Sequence, residues 1–405
     1  MSQKNPLKVK RHIVRPNWLL STETQKLFKV LQGGVPDDEP QALFVGGCVR
    51  NTLLDEKVED FDVATPLSPD EVTNILEAAD IKVIPTGIDH GTVTVLIGDY
   101  AYEVTTLRHD KETDGRHAVV AYTDSWVDDA RRRDFTVNTL LMDLRGNVYD
   151  PLDSGLSDID AKCIRFVGNA NTRIEEDHLR ILRFFRFSAQ YSSGEFDKEG
   201  LDACKNGAEH INKLSRERIT QEMFKILSSE KPYKTLNVML EHEILDEIMF
   251  FKENPKFFEH FCNFQSRFRL NALSSRLFVF ANMDFSNIQL MGKLILFPKV
   301  FLKDMKAIAG ALELPDLSCD HAVQRSVYRF GRSATAQALM IELAQDRVMN
   351  SYASTALDII QNWDVPDFPV SGGDLMARGM KAGPELGAEL NRLEQEWIDN
   401  GFKLS

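Results

Sequence analysis

One stretch constrains this chain more than any other: Leu43–Thr65, LFVGGCVRNTLLDEKVEDFDVAT. It orders a short strand, a glycine pair, a helix, a turn and a second strand. Leu43, Phe44 and Val45 form an apolar run, and Val49, Leu53 and Leu54 then recur at helical spacing. Gly46 and Gly47 sit at the junction, where absent side chains let backbone approach a ligand. A new helix presents unpaired N–H groups and a positive dipole end there, which suits a phosphate. Arg50, in the first turns, adds a full positive charge. Asp60 and Asp62 follow at alternate positions entering the second strand, so both carboxylates face one side. Two hard oxygen ligands beside an anion cradle fit Mg²⁺ carrying a triphosphate. Separately, a glycine pair is most often a turn and two acids a solvated edge; their order and spacing carry the weight.

On these residues, GGCVRN…DFDVAT resembles the first motif of class II tRNA nucleotidyltransferases and bacterial poly(A) polymerases. That family lies within the superfamily that includes DNA polymerase beta. The resemblance implies an α+β fold: a mixed α/β nucleotidyltransferase head with a small sheet, then an all-α neck, body and tail. The boundaries expected are an extension over 1–40, the head over 41–148, a connector and neck with the base-recognition helix over 149–232, a helical body over 233–363 and a helical tail over 364–405. The tail is the expected tRNA docking element.

Within the head, Ser68-Pro69-Asp70-Glu71 is a capping box with proline at the first helical position. Gly98-Asp99 separates two strand-like runs, Gly91–Ile97 and Tyr100–Leu107, as a hairpin turn would. Four or five strands with two helices are expected. Glu103 lies in the second run; alone it reads as a solvated edge residue, and the resemblance makes it a third carboxylate at a two-metal site. Arg108–Asp129 reads as a polar loop beside the site. Its His109-Asp110 pair resembles that of metal phosphohydrolases, but no further ligand pattern accompanies it.

ARRRDFTVNTLLMD, Ala130–Asp143, resembles the family's second motif. By that resemblance Arg133 holds the triphosphate or ribose, and Asp134 and Asn138 orient sugar and loop. Tyr149–Gly168 resembles the third motif, a connector with two short extended runs that could hinge. EEDHLRILRFFRFSAQY, Glu175–Tyr191, reads as one helix with Ile181, Leu182, Phe185 and Ala189 on one face and Arg180, Arg183 and Phe187 roughly opposite. Asp177 and Arg180 are then i,i+3 neighbours, which by themselves read as an ion pair. The segment resembles the fourth motif, which implies that Asp177 and Arg180 select the base. A carboxylate accepting from the amino group and a guanidinium donating to the ring nitrogen would take cytosine and adenine and reject uracil and guanine. Arg183 and Arg186 would support them or contact phosphate. Residues 213–228 resemble the fifth motif, with Glu217, Arg218 and Glu222 buttressing the recognition helix.

The implied activity is template-independent addition of C, C and A to a tRNA 3′ end from CTP and ATP, with poly(A), CC-only or A-only addition as alternatives. Gly46, Gly47, Arg50 and Arg133 would grip the triphosphate, and Asp60 and Asp62 would hold Mg²⁺. A net charge of −13 disfavours a broadly basic coat, yet phosphate contacts depend on local patches. Such patches are Lys8, Lys10, Arg11 and Arg15, which read more often as a solvated face than as an RNA contact, then Lys299, Lys303 and Lys306, and Arg325, Arg329 and Arg332, for which a solvated helix face is at least as good a reading as an RNA backbone track. Five cysteines without CxxC spacing read as reduced thiols in a cytoplasmic protein. No apolar run long enough to span a membrane and no secretory leader is seen. Oligomeric state is left open.

Overall fold

The computed structural model describes residues 7–36, 39–88, 91–110, 120–192, 194–248 and 255–403. Residues 111–119 of the expected polar loop lie outside these. The chain divides into two compact units, Met1–Ile211 and Asn212–Ser405.

The first unit is built on strands β1 (Val9–His12), β2 (Leu43–Val45), β3 (Phe61–Thr65), β4 (Lys82–Gly87), β5 (Thr92–Ile97), β6 (Tyr100–Thr106), β9 (Leu141–Met142) and β10 (Asn147–Tyr149). They form an eight-stranded sheet in the order β1-β10-β9-β2-β3-β6-β5-β4. Strands β7 (Arg108–Asp110) and β8 (Val120–Tyr122) pair separately. Only β3 and β6 pair in parallel among the described strands, with Asp62 opposite Glu103 and Val63 opposite Val104. The hairpin at Gly98-Asp99 forms as expected, with Ile97 paired to Tyr100.

Alternation along the strands gives the sheet two different faces. Phe44, Phe61 and Tyr102 share one face. It is covered by Trp18, whose ring centroid is 4.8 Å from that of Phe44, and by helix α1 (Thr22–Gln32), whose Phe28 stacks on Phe44 at 4.5 Å. Thr24 of α1 meets the Tyr102 hydroxyl at 2.9 Å. Helix α3 (Pro69–Ala78) carries the complete capping box between Ser68 and Glu71 and buries Val72 and Leu76. The other face has Leu43, Val45, Ala64, Leu107, Leu141 and Tyr149 in one cluster. Asp62 alternates in phase with Ala64 and opens onto this second face.

The sheet is wider than the four or five strands expected. Val9–His12, read as part of an extension, is its edge strand, paired antiparallel with β10. The same extension also holds a 3₁₀ turn, Asn17–Leu20, followed by α1, because the Ser21 side chain accepts from the Thr24 N–H and starts a new helix there.

Beyond the sheet come α4 (Trp126–Arg131), α5 (Gly155–Ala161), α6 (Ala170–Glu176), α7 (Leu179–Tyr191) and α8 (Lys198–Gly207). The expected hinge segment contains α5, and a Cβ at Gly155 would lie 2.6 Å from the Thr136 carbonyl, so glycine is required for this packing. The single helix expected over Glu175–Tyr191 is two, broken at Asp177 in extended conformation (φ −157°, ψ 103°). The Asp177 carboxylate accepts from the Leu179 N–H at 3.1 Å and so starts α7. Phe187, expected opposite the buried face, is 4% exposed and packed on Phe135 at 5.2 Å. Helix α7 is therefore buried on both sides.

The second unit is helical: α9 (Arg216–Ser228), α10 (Pro232–Glu241), α11 (Pro255–Phe268), α12 (Leu273–Phe280), α13 (Phe285–Met291), α14 (Lys299–Leu312), α15 (Asp320–Ala344), α16 (Ala353–Asn362), α17 (Gly372–Ala377) and α18 (Pro384–Asp399). Its core holds Arg276, 2% exposed, which donates to the Leu227 and Ser229 carbonyls at 2.7 and 2.9 Å at the end of α9. A cation there complements the helix dipole. Helix α15 kinks at Gly331, whose φ of 82° other residues rarely adopt. Before the kink, Tyr328 packs on Trp397 and Phe402 from the chain's last turns.

Candidate active site

The cradle begins where β2 ends. Gly46 has φ 70° and ψ −123°, a conformation that L side chains avoid, and it caps α2 (Gly47–Leu53). Its backbone lies between two opposite charges: a Cβ there would be 3.5 Å from Arg133 Nη1 and 3.7 Å from Asp62 Oδ2. The glycine pair, the strand aspartate and the second-motif arginine thus converge on one spot.

Asp62 is half-buried in β3, and exposed Glu103 lies beside it in register on β6. Asp60 is exposed and precedes the strand, which begins at Phe61. Burial pushes the Asp62 carboxyl up to about 6; Glu103 and Asp60 push the same way, while Arg133 and Arg50 oppose. No described residue donates a hydrogen bond to this carboxylate. An ionisable oxygen pair short of donors and crowded by like charge fits a hard divalent cation. No group of three or more His, Cys, Asp or Glu side chains is arranged to hold a metal among the described residues.

The arginines of the second motif are held by a residue that the sequence reading left in a loop. Asp129, on α4 and 3% exposed, accepts from Arg133 Nη2 at 2.9 Å and from Arg132 Nε at 2.8 Å. Burial opposes its charge, but Arg133 and Arg132 outweigh that and hold its carboxyl below the usual range. The i,i+4 spacing from Asp129 to Arg133 is the signal that could have found it.

Asp134 anchors α7. It accepts from Arg183 Nε at 2.8 Å, from the Asn138 amide at 2.9 Å and from the Phe135 N–H at 2.8 Å. Burial again opposes ionisation, and Arg183 with these donors wins, so its carboxyl is lowered. Asn138 faces the other way with its carbonyl, which accepts from Arg50 Nη1 at 2.5 Å. Arg50 is 7% exposed; its Nη2 donates to the Tyr191 hydroxyl at 3.0 Å and to Asn51 at 2.9 Å. Its guanidinium also lies over the Tyr191 and Phe187 rings, 4.3 and 4.9 Å from their centroids. Arg50, expected to grip the triphosphate, instead ties α2 to α7 through Nη2 and the Tyr191 hydroxyl, while its buried Nε has no described partner. Arg183 and Arg186 also flank the Phe187 ring, at 5.2 and 4.1 Å.

Asp177 and Arg180 lie at the start of α7, but Arg180 does not pair with Asp177. Its Nη1 donates to Glu176 at 2.5 Å and to the Arg173 carbonyl at 2.8 Å. Its Nη2 approaches the Arg132 carbonyl at 3.5 Å, which sets α7 beside the arginine segment that reaches Gly46 and Asp62. A cavity of about 550 Å³ opens here, lined by His109, Thr123, Asp128, Arg131, Arg132, Arg173 and Glu176.

Comparison with known proteins identifies the family. Residues 42–165 match the family described as poly A polymerase head domain, and residues 195–253 match one described as a probable RNA and SrmB-binding site of polymerase A. The mouse mitochondrial CCA tRNA nucleotidyltransferase 1 is 32% identical over 399 residues, covering 95% of this chain and 90% of that protein. The CCA-adding enzyme of Streptococcus pneumoniae is 32% identical over 392 residues, 94% of each chain. Among solved structures, the Bacillus stearothermophilus CCA-adding enzyme in complex with CTP superposes with a TM-score of 0.74 at 25% identity, over 96% of this chain and 94% of that one. With a sheet-based head, a helical remainder and relatives matched along nearly the whole length, the chain belongs to the CCA-adding tRNA nucleotidyltransferase and poly(A) polymerase family.

Proposed function

We infer that this chain is a CCA-adding tRNA nucleotidyltransferase, which extends a tRNA 3′ end with C, C and A from CTP and ATP and releases pyrophosphate. The observation that carries this reading is the near full-length match to relatives named for that activity, joined to the convergence of Gly46, Asp62 and Arg133. In the reaction the terminal RNA hydroxyl oxygen forms a bond to the nucleotide's α-phosphorus, and the α–β bridging P–O bond breaks. Gly46 and the α2 N-terminus bind the triphosphate with backbone N–H groups, and Arg133, aimed by Asp129, adds charge that stabilises the pyrophosphate leaving group. Asp60 and Asp62 would hold a divalent cation, for which we propose Mg²⁺, with Glu103 beside them. When bound, it lowers the pKa of the attacking hydroxyl and neutralises the phosphates.

Asp177 and Arg180 select the base. In the arrangement described, Glu176 holds Arg180, so base reading requires Arg180 to exchange that carboxylate for the ring nitrogen of C or A. Arg50 acts as a positioning residue, and Arg183 supports the recognition helix through Asp134. No described helix is long and apolar enough to cross a membrane, and a cytoplasmic setting is proposed with that observation.

The deciding experiment offers tRNAs ending before CCA, after C and after CC to the enzyme with CTP, ATP or both, and sequences the products. The expected outcome is CCA, completed and then stopped, on each substrate. Runs of A would instead identify a poly(A) polymerase, and products ending at CC or gaining only A a partial enzyme.

A further inference from the structure

The unit Asn212–Ser405 carries two sets of basic side chains, and their situations differ. On α15, Arg325 ion-pairs with Asp399 at 3.2 Å, Arg329 donates to Gln395, and Arg332 donates to the Ile360 carbonyl and, at 2.9 Å, to that of Trp363. These three hold the last helices in place. On α14, Lys299, Lys303 and Lys306 are exposed and ion-pair with no described residue; the same holds for Lys293 in the preceding turn. At helical spacing the three α14 lysines fall within roughly 60° of arc and ~10 Å of axis. Asp304 lies more than roughly 100° round the helix from the stripe's centre. A chain with net charge −13 has carboxylates in excess, yet no described one ion-pairs with this stripe.

The stripe is also joined to a segment with its own link to RNA. Arg216 of α9, itself exposed, donates to the Gly292 carbonyl at 2.5 Å beside Lys293. The Thr220 hydroxyl accepts from the Leu296 N–H at 2.8 Å, and the Phe224 ring packs on Phe301 at 5.6 Å. Helix α9 lies inside residues 195–253, the part matched to the family described as a probable RNA-binding site.

We propose that Arg216, Lys293, Lys299, Lys303 and Lys306 form a docking surface for an RNA phosphodiester backbone, extending the matched segment beyond residue 253 onto α14. The proposal rests on the reading of tRNA as substrate. Ammonium groups on flexible stems contact phosphates as point charges and carry no sequence information, so the surface contributes affinity and not base choice.

The test is the triple variant Lys299→Gln, Lys303→Gln, Lys306→Gln, with the triple Lys→Arg variant as the charge-preserving control. All three side chains are exposed, so folding is spared. The KM for tRNA is measured against salt, with kcat and the KM for CTP at saturating tRNA. Each lost phosphate contact lowers the salt slope by ~0.7–0.9, so the glutamine variant should lose about 2 to 3 from it and raise the tRNA KM several-fold. Its kcat and CTP KM should stay unchanged, and the arginine variant should match the wild type. Unchanged slope and tRNA KM would overturn the proposal, as would an equal loss in the arginine variant. Sensitivity confined to binding of phosphatidylserine vesicles would also overturn it and assign the stripe to a membrane. Wild-type protein that binds tRNA with the stripe-dependent slope but adds no nucleotide would reject the proposed function and leave this surface standing.

Discussion

Two aspartates of the first unit meet the same physical problem in opposite ways. Asp62 is half-buried, crowded by Glu103 and Asp60, receives no hydrogen bond from a described residue, and has its carboxyl pushed up to about 6, mainly by burial. Asp134 is buried more deeply, yet Arg183, Asn138 and the Phe135 N–H satisfy it and its carboxyl is lowered. The difference separates a bracket from a socket. A carboxylate whose partners are all supplied by the chain can only hold structure. One left short of partners is stable as a charge only when something from outside the chain arrives.

That contrast is broken most severely by exchanging the two roles. Asp62→Asn should reduce kcat on the order of 10³-fold or more, because catalytic charge stabilisation by the bound cation is lost. Its unfolding midpoint in urea should be equal or higher, since an unsatisfied buried charge has been removed. Asp134→Ala should do the reverse in kind: a stability loss of about 3 kcal/mol, because Arg183, Asn138 and the Phe135 N–H all lose the carboxylate they donate to. If Asp62→Asn destabilised as much as Asp134→Ala, the distinction would fail.

Gly46→Ala comes next. The required φ of 70° and the place of the new methyl between Asp62 and Arg133 should cost ~1–3 kcal/mol and depress turnover with CTP and ATP alike. Arg180→Ala should blur the preference for CTP and ATP over UTP and GTP by ~10–100-fold, as expected for losing one hydrogen bond to a buried polar edge. Glu176→Gln should leave the choice of base intact while changing nucleotide KM by only a few-fold. Unchanged selectivity in Arg180→Ala would remove the base-reading role.

The smallest effect is in pH dependence, where the two aspartates oppose each other. The Asp62 carboxyl, raised from 3.8 to about 6, favours the protonated folded form. Its stabilising contribution is present below pH 3.8 and is lost as pH rises through about 6. Asp134 is lowered, so its contribution is present above the ordinary carboxyl value and is lost as pH falls through its depressed one. Denaturation without divalent cation should therefore show a shallow loss of stability between pH 4 and 6 that Asp62→Asn removes. Apparent cation affinity should weaken about tenfold per pH unit below about 6, as the site must deprotonate to bind.

The parts of the fold legible in sequence were those written locally. The strand, glycine pair and helix over Leu43–Leu53, the capping box at Ser68 and the Gly98-Asp99 hairpin each depend on neighbours a few residues apart, and each forms. The parts that were not legible depend on distant partners. Val9–His12 is a charged tetrapeptide whose only reason to be a strand is β10, at Asn147–Tyr149. Arg50 reads as a phosphate ligand until Asn138 and Tyr191, 88 and 141 residues away, take donors from its two terminal nitrogens. The break at Asp177 lacks glycine or proline; the signal was the aspartate's own capacity to cap, masked by a strong helical period on both sides. Asp129 was hidden by the polar character of its surroundings, although its spacing to Arg133 was in plain view.

The anchoring of the final helix has a consequence for damaged copies of the chain. Asp399 and Gln395 occupy Arg325 and Arg329, and Trp397 and Phe402 cover Tyr328. A translation product that stopped short of α18 would not merely lack a peripheral segment. It would bare two guanidiniums next to an uncovered aromatic ring, a combination that grips any nucleic acid by charge and stacking.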